Sequence, residues 1–202
     1  MQAWQTHSSG TGGYYSCNLY GSSKEKMAEV EKLRQDSKTQ LDRYMFFFGR
    51  FMNHQKGSLL AEKELAGSHP AAVEKLHARY GFEYTDLEFL FEALSQVIEC
   101  RFVLKYTYVY GFYLEDAGKV GSRELFEHLQ KDLEEFTDRL HEFIEKDLDV
   151  FVKDEEEESE DTVVDVETLR VKFADFRSQV ANQCLVTRRF FHTILNDLKL
   201  AE

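Results

Sequence analysis

A chain of 202 residues is long enough for one large domain or two small ones, and 43% hydrophobic residues with 14% aromatics supply a core that excludes disorder as the default. The formal charge of −12, from 37 acids against 25 bases, repels phosphate backbones and makes nucleic acid a poor partner. The single proline, Pro70, favours long helices, because each proline removes an amide donor and clashes with the preceding turn.

The three cysteines, Cys17, Cys100 and Cys184, are far apart and form no CxxC pair, so they outline neither a disulfide framework nor a complete zinc site. No apolar run approaches membrane-spanning length and the N-terminus lacks a signal-peptide core. The expected setting is the cytoplasm or nucleus, with no membrane.

In chain order, Trp4 to Tyr20 reads as loop, because Gly10, Gly12 and Gly13 sit among Ser8, Ser9 and Thr11. After Ser22 and Ser23 a helical pattern begins, with Met27, Val30, Ser37, Leu41, Tyr44, Phe48 and Phe51 on one face. Gly57 is expected to weaken it. A short helix follows, with Pro70 in its first turn and Gly81 as its stop. Thr85-Asp86-Leu87-Glu88 reads as a capping box opening a helix to about Glu115. That helix is apolar on more than one side, through Leu87, Leu90, Leu94, Val97, Ile98, Leu104, Tyr108 and Phe112, which predicts a central position.

Gly118 and Gly121 mark a loop, and Ser122 is a candidate cap for the next helix. Its stripe is Leu125, Leu129, Leu133, Phe136, Leu140, Phe143 and Ile144. The acidic run from Asp154 to Asp161, broken only by Ser159, reads as a solvated linker. The last helix starts near Val166 and is expected to bury Leu169, Phe173, Phe176, Val180, Cys184, Thr187, Phe191, Ile194 and Leu198. The fold class is all-α, a bundle of about four long helices plus one or two short ones behind a Gly/Ser-rich irregular segment.

Three kinds of chemistry are conceivable from the residues alone. Glu74-x-x-His77 and Asp138-x-x-His141 approach the spacing of a di-iron bundle, but such spacings arise by chance in a chain this acidic. Cys100 and Cys184 lie on apolar faces and read as small core residues rather than nucleophiles. His7 and Cys17 are zinc-ligand types in a glycine-rich loop, yet two ligands do not complete a tetrahedral site.

Trp4-x-x-His7 followed by Tyr15-x-Cys17-Asn18-x-Tyr20 resembles the end of the catalytic RING-like domain of the Ariadne family of RING-between-RING ubiquitin ligases. Cys100-Arg101-x-x-Leu104-x-Tyr106-Thr107-Tyr108-x-x-x-Phe112-Tyr113-Leu114 resembles that family's most recognisable helix. Leu41-x-Arg43-Tyr44, Asn53-His54, Phe126-Glu127 and Cys184 with Arg188-Arg189 follow in the expected order. The resemblance implies that residues 1–21 are the incomplete tail of the catalytic (Rcat) zinc domain. Residues 22–202 would then be the Ariadne helical domain, with an acidic linker at 153–164.

It further implies that His7 and Cys17 are the last two ligands of a structural zinc. The remaining ligands, the catalytic cysteine and the RING that recruits the ubiquitin-conjugating enzyme would all lie upstream. On this reading the chain is not itself an enzyme. It packs on the Rcat domain and blocks its cysteine until a neddylated cullin–RING ligase relieves the block. The family's inhibitory acid in the fourth long helix corresponds to Asp138. Its apolar-acidic pair after Asn-His corresponds to Leu60-Ala61 in direct register, or to Ala61-Glu62 with an insertion at Gly57. The second register also aligns Leu65 and selects Glu62. Both acids also read plainly as solvated helix residues. Arg101 and Arg189 read as buried partners for acids inside the bundle. A free-standing helical adaptor without ligase context is the alternative function.

Overall fold

The computed structural model describes residues 18–114, 120–152 and 166–200. Six helices follow in order among them: α1 Asn18–Ala66, α2 Ser68–Tyr80, α3 Tyr84–Leu114, α4 Val120–Glu142, α5 Asp149–Val152 and α6 Val166–Leu200. A π-helical turn, Phe143–Asp147, joins α4 to α5. The all-α class and the four long helices are as the periodicity predicts.

The chain divides into two compact units at Phe46/Phe47. In the first, the described part is helical, and Met27, Val30, Leu41 and Tyr44 of the apolar stripe are all exposed. The second holds the bundle core. There α3 packs against α2, α4 and α6, which is the central position that its all-round apolar character predicts.

The core has two parts. One gathers Leu76 and Tyr80 of α2, Leu87, Leu90 and Leu94 of α3, Leu140 of α4, Ile144 of the π-turn, Phe151 of α5, and Phe173, Phe176 and Val180 of α6. Within it Phe173 stacks on Phe82 at 4.4 Å and meets Phe89 and Phe151 edge-on. The other joins Cys100, Leu104 and Leu114 of α3 to Phe126 and Leu133 of α4 and Ile194 of α6. Two buried side-chain amides bridge helices: Gln130 Nε2 donates to Thr107 Oγ1 at 2.7 Å, and Gln96 Nε2 to the Cys184 carbonyl at 2.9 Å.

Several local expectations need correction. Helix α1 already contains Asn18 to Ser23, so neither Ser22 nor Ser23 starts it, and residues 18–20 are not loop. It also runs through Gly57 to Ala66 without a break. A Cβ at position 57 would lie 2.9 Å from both Cδ and Nη1 of Arg101, so the glycine leaves room for a side chain from α3. Helix α3 starts at Tyr84, which places Thr85 inside the first turn; the Asp86 amide bonds to the Glu83 carbonyl at 2.9 Å. Tyr84 is drawn in by stacking on His77 at 4.4 Å and by donating to Glu74 at 3.1 Å. Helix α4 starts at Val120, ahead of Ser122, and takes in Gly121. In its stripe Leu125 is exposed and Phe126 is the buried neighbour.

Other expectations hold. Pro70 lies in the first turn of α2, and Gly81 ends that helix in the left-handed region (φ 66°), where glycine carries no Cβ penalty. Its amide bonds to the His77 carbonyl at 2.9 Å. The acidic run lies outside the described residues.

Candidate functional site

The sequence singles out His7, Cys17, Glu62 and Asp138. His7 and Cys17 lie outside the described residues, and among the described residues no three His, Cys, Asp or Glu gather as a metal site. At the Glu74-x-x-His77 spacing, His77 donates Nδ1–H to the Phe82 carbonyl at 2.7 Å and Glu74 accepts from Tyr84. The two acids share no partner. Glu62, on the exposed side of α1, accepts a hydrogen bond from Ser58 Oγ at 3.2 Å. Asp138, on α4, pairs through Oδ1 with Arg101 Nη2 at 3.1 Å.

Asp138 is the outer member of a chain of polar contacts between three helices. Arg101 on α3 also donates from Nη2 to His141 Nδ1 at 3.2 Å. Since a guanidinium only donates, His141 accepts at Nδ1 and carries its hydrogen on Nε2. That hydrogen goes to Glu64 Oε2 on α1 at 2.8 Å. His69, buried nearby, is held below its ordinary pKa by burial, with Glu64 opposing the shift and His141 adding to it. Arg101 thus takes the expected inward role, whereas Arg189 is exposed on α6 and does not.

A second cluster lies further along the same helices. Glu134 of α4 accepts from the Tyr108 hydroxyl at 2.8 Å and from Arg50 Nη1 at 3.1 Å. His54, 3% exposed, stacks on Tyr108 at 5.5 Å, with Nε2 lying 3.3 Å from Glu134 Oε1. Contact with His54, then the Tyr108 hydrogen bond and the Arg50 charge, hold the Glu134 carboxyl down at about 2 against burial. Burial, then the Glu134 hydrogen bond, raise the Tyr108 hydroxyl well above its usual range. An open groove of about 560 Å³ runs beside both clusters and is lined by charged groups, among them Arg50, Lys131, Glu134, Asp138 and Arg139.

No activated nucleophile is found among the described residues. Burial pushes the Cys100 thiol up to about 12 and the Cys184 thiol up to about 11. The charged lining of the groove suits recognition by charge and shape. Sequence reasoning missed Glu64 and Glu134, for neither stands out among the 37 acids of the chain.

Comparison with known proteins gives the lineage of this surface. The Ariadne domain family model matches residues 42–175. The chain is 34% identical over 201 residues to the probable E3 ubiquitin-protein ligase ARI7 of Arabidopsis thaliana, covering 98% of this chain and 34% of that protein. It is 34% identical over 193 residues to the probable E3 ubiquitin-protein ligase rbrA of Dictyostelium discoideum, covering 96% of this chain and 33% of that protein. Over 150 residues it is 34% identical to the E3 ubiquitin-protein ligase ariadne-1 of Drosophila melanogaster, covering 73% of this chain and 27% of that protein. The chain therefore spans about a third of the length of the curated relatives it matches.

Proposed function

This chain belongs to the Ariadne domain family, and we propose that it is the regulatory helical domain of a RING-between-RING ubiquitin ligase that holds the ligase closed. Its role is occlusion: Glu62 and Asp138 contact the Rcat module, and the catalytic cysteine there is kept from substrate. A neddylated cullin–RING ligase that binds the open form better releases it, since a partner shifts such an equilibrium only by its difference in affinity for the two states. The conjugating enzyme is recruited by the RING elsewhere in the ligase. His7 and Cys17 complete a structural zinc whose other ligands come from the Rcat module, because two ligands cannot close a tetrahedral site.

The observation that carries this reading is Asp138. Its carboxylate is tied at one oxygen to a nearly buried arginine, while the side chain remains 60% exposed. An acid held in this way suits docking more than stability, since an exposed ion pair alone contributes only about 0–1 kcal/mol. A free-standing adaptor has no comparable support, because the relatives named above carry the ubiquitin-ligase name and extend well beyond this domain.

The test is the Glu62→Ala/Asp138→Ala double variant of the complete ligase, assayed for autoubiquitination without a cullin partner. Hydrogen bonds to charged groups contribute about 1.5–3 kcal/mol each, so activation of at least roughly tenfold is expected. An unchanged rate with an intact helical spectrum would place the inhibitory surface elsewhere.

A further inference from the structure

We propose that Arg101 is a positioning residue for Asp138, and that Gly57 is required to give Arg101 its place. The proposal rests on the reading of Asp138 as an inhibitory acid and adds how that acid is held ready. The Arg101 side chain is 13% exposed and the Asp138 side chain 60%. The pair therefore spans the surface, with its cation inside and its anion outside.

Three contacts fix the cation. Nη2 donates to His141 Nδ1 at 3.2 Å and is ion-paired with Asp138 Oδ1 at 3.1 Å. His141 is itself held by Glu64 at 2.8 Å, which ties the arrangement to α1. On its α1 side the guanidinium lies against the Cα of Gly57, where any Cβ would come within 2.9 Å of Nη1 and Cδ. Arginine suits this place better than lysine, because its rigid planar guanidinium holds Nη2 in a fixed direction, whereas a lysine ammonium rotates freely on a flexible stem.

The consequence for Asp138 is preorganisation. One oxygen is anchored and the other remains available to a docking surface. An unanchored aspartate would lose rotamer freedom on docking, and the anchored one has already lost it. Immobilising a side chain at an interface costs enough to change an equilibrium roughly threefold to tenfold. The closed state should therefore weaken by that factor when Arg101 is removed, even with Asp138 intact. Gly57→Ala should do the same by pushing the guanidinium aside.

The experiment measures cullin-independent autoubiquitination of the complete ligase in Asp138→Asn, Arg101→Met, Gly57→Ala and two double variants. Asp138→Asn should activate, and Arg101→Met and Gly57→Ala should each activate roughly threefold to tenfold. Both effects should vanish on other backgrounds: Arg101→Met adds less than about twofold to Asp138→Asn, and Gly57→Ala adds less than about twofold to Arg101→Met. A general loss of fold would not show that dependence. If Asp138→Asn activates while Arg101→Met and Gly57→Ala leave the rate unchanged, positioning is overturned and the inhibitory acid stands. If Arg101→Met multiplies the rate of Asp138→Asn by its full factor, Arg101 acts through the fold, and positioning is again overturned. If Asp138→Asn itself is silent, the inhibitory reading and the positioning both fall.

Discussion

Tyr108 on α3 donates its hydroxyl to Glu134 on α4 at 2.8 Å while stacking on His54 of α1, so one phenol joins three helices. The carboxylate at the centre of this cluster sets how the bundle responds to acid. Its pKa falls from 4.5 to about 2 on folding, so its contribution is fully present above about pH 4.5 and is lost as the pH falls toward 2. With allowance for solvent screening, the contribution is about 1–2 kcal/mol. Glu134→Gln should lower urea stability at pH 7 by about that amount and flatten the decline between pH 4.5 and 3. An equally steep decline in the variant would show that other carboxylates govern it.

His69 adds an earlier step in the same direction. Burial lowers its pKa from 6.5, so the folded state binds a proton less readily than the unfolded chain. Stability should therefore begin to fall as the pH drops below about 6.5, before Glu134 titrates. Urea midpoints of His69→Phe between pH 7 and 5 should be flatter than those of the parent chain. Parallel curves would assign the loss to another group.

Phe173 is the packing counterpart of the polar clusters. Because it touches Phe82, Phe89, Phe151 and Phe176, Phe173→Ala should lower stability by about 3–5 kcal/mol. Leu125→Ala, by contrast, removes an exposed side chain of α4 and should change stability by less than about 0.5 kcal/mol. A thermal or urea melt of each variant checks the pair, and similar losses would contradict the assignment of Phe126 as the inward residue.

The two described cysteines should not carry ubiquitin. Both thiols are pushed up by burial, to about 12 for Cys100 and about 11 for Cys184, so the thiolate is scarce at neutral pH. Incubating the chain with a charged conjugating enzyme should give no adduct sensitive to reductant. Such an adduct on either residue would refute the core assignment.

The long helices were legible because their apolar residues recur at helical spacing, and the buried face of α6 from Phe173 to Ile194 follows that spacing. What escaped was set by distant neighbours. Gly57 reads locally as a weak point, yet its reason is a side chain arriving from α3. Thr85 and Ser122 read as caps, but tyrosine stacking carries α3 one residue further back and α4 starts ahead of its serine. In the candidate site, Asp138 could be named from a resemblance, while Arg101 could be read only as a general buried partner. Glu64 and His141 are 77 positions apart, and no local pattern marks that pair.

The most direct test of cis inhibition is the rate of ubiquitin transfer from a charged conjugating enzyme to the catalytic cysteine. It should be measured in the complete ligase and in a ligase lacking the helical domain from residue 22 onward, with the missing domain then added back in trans. Removal should raise the cullin-independent rate by at least roughly tenfold, and adding the bundle back should lower it again, less so when the bundle carries Asp138→Ala. A rate that is unchanged or lower after removal, and indifferent to the added bundle, would contradict occlusion by this domain.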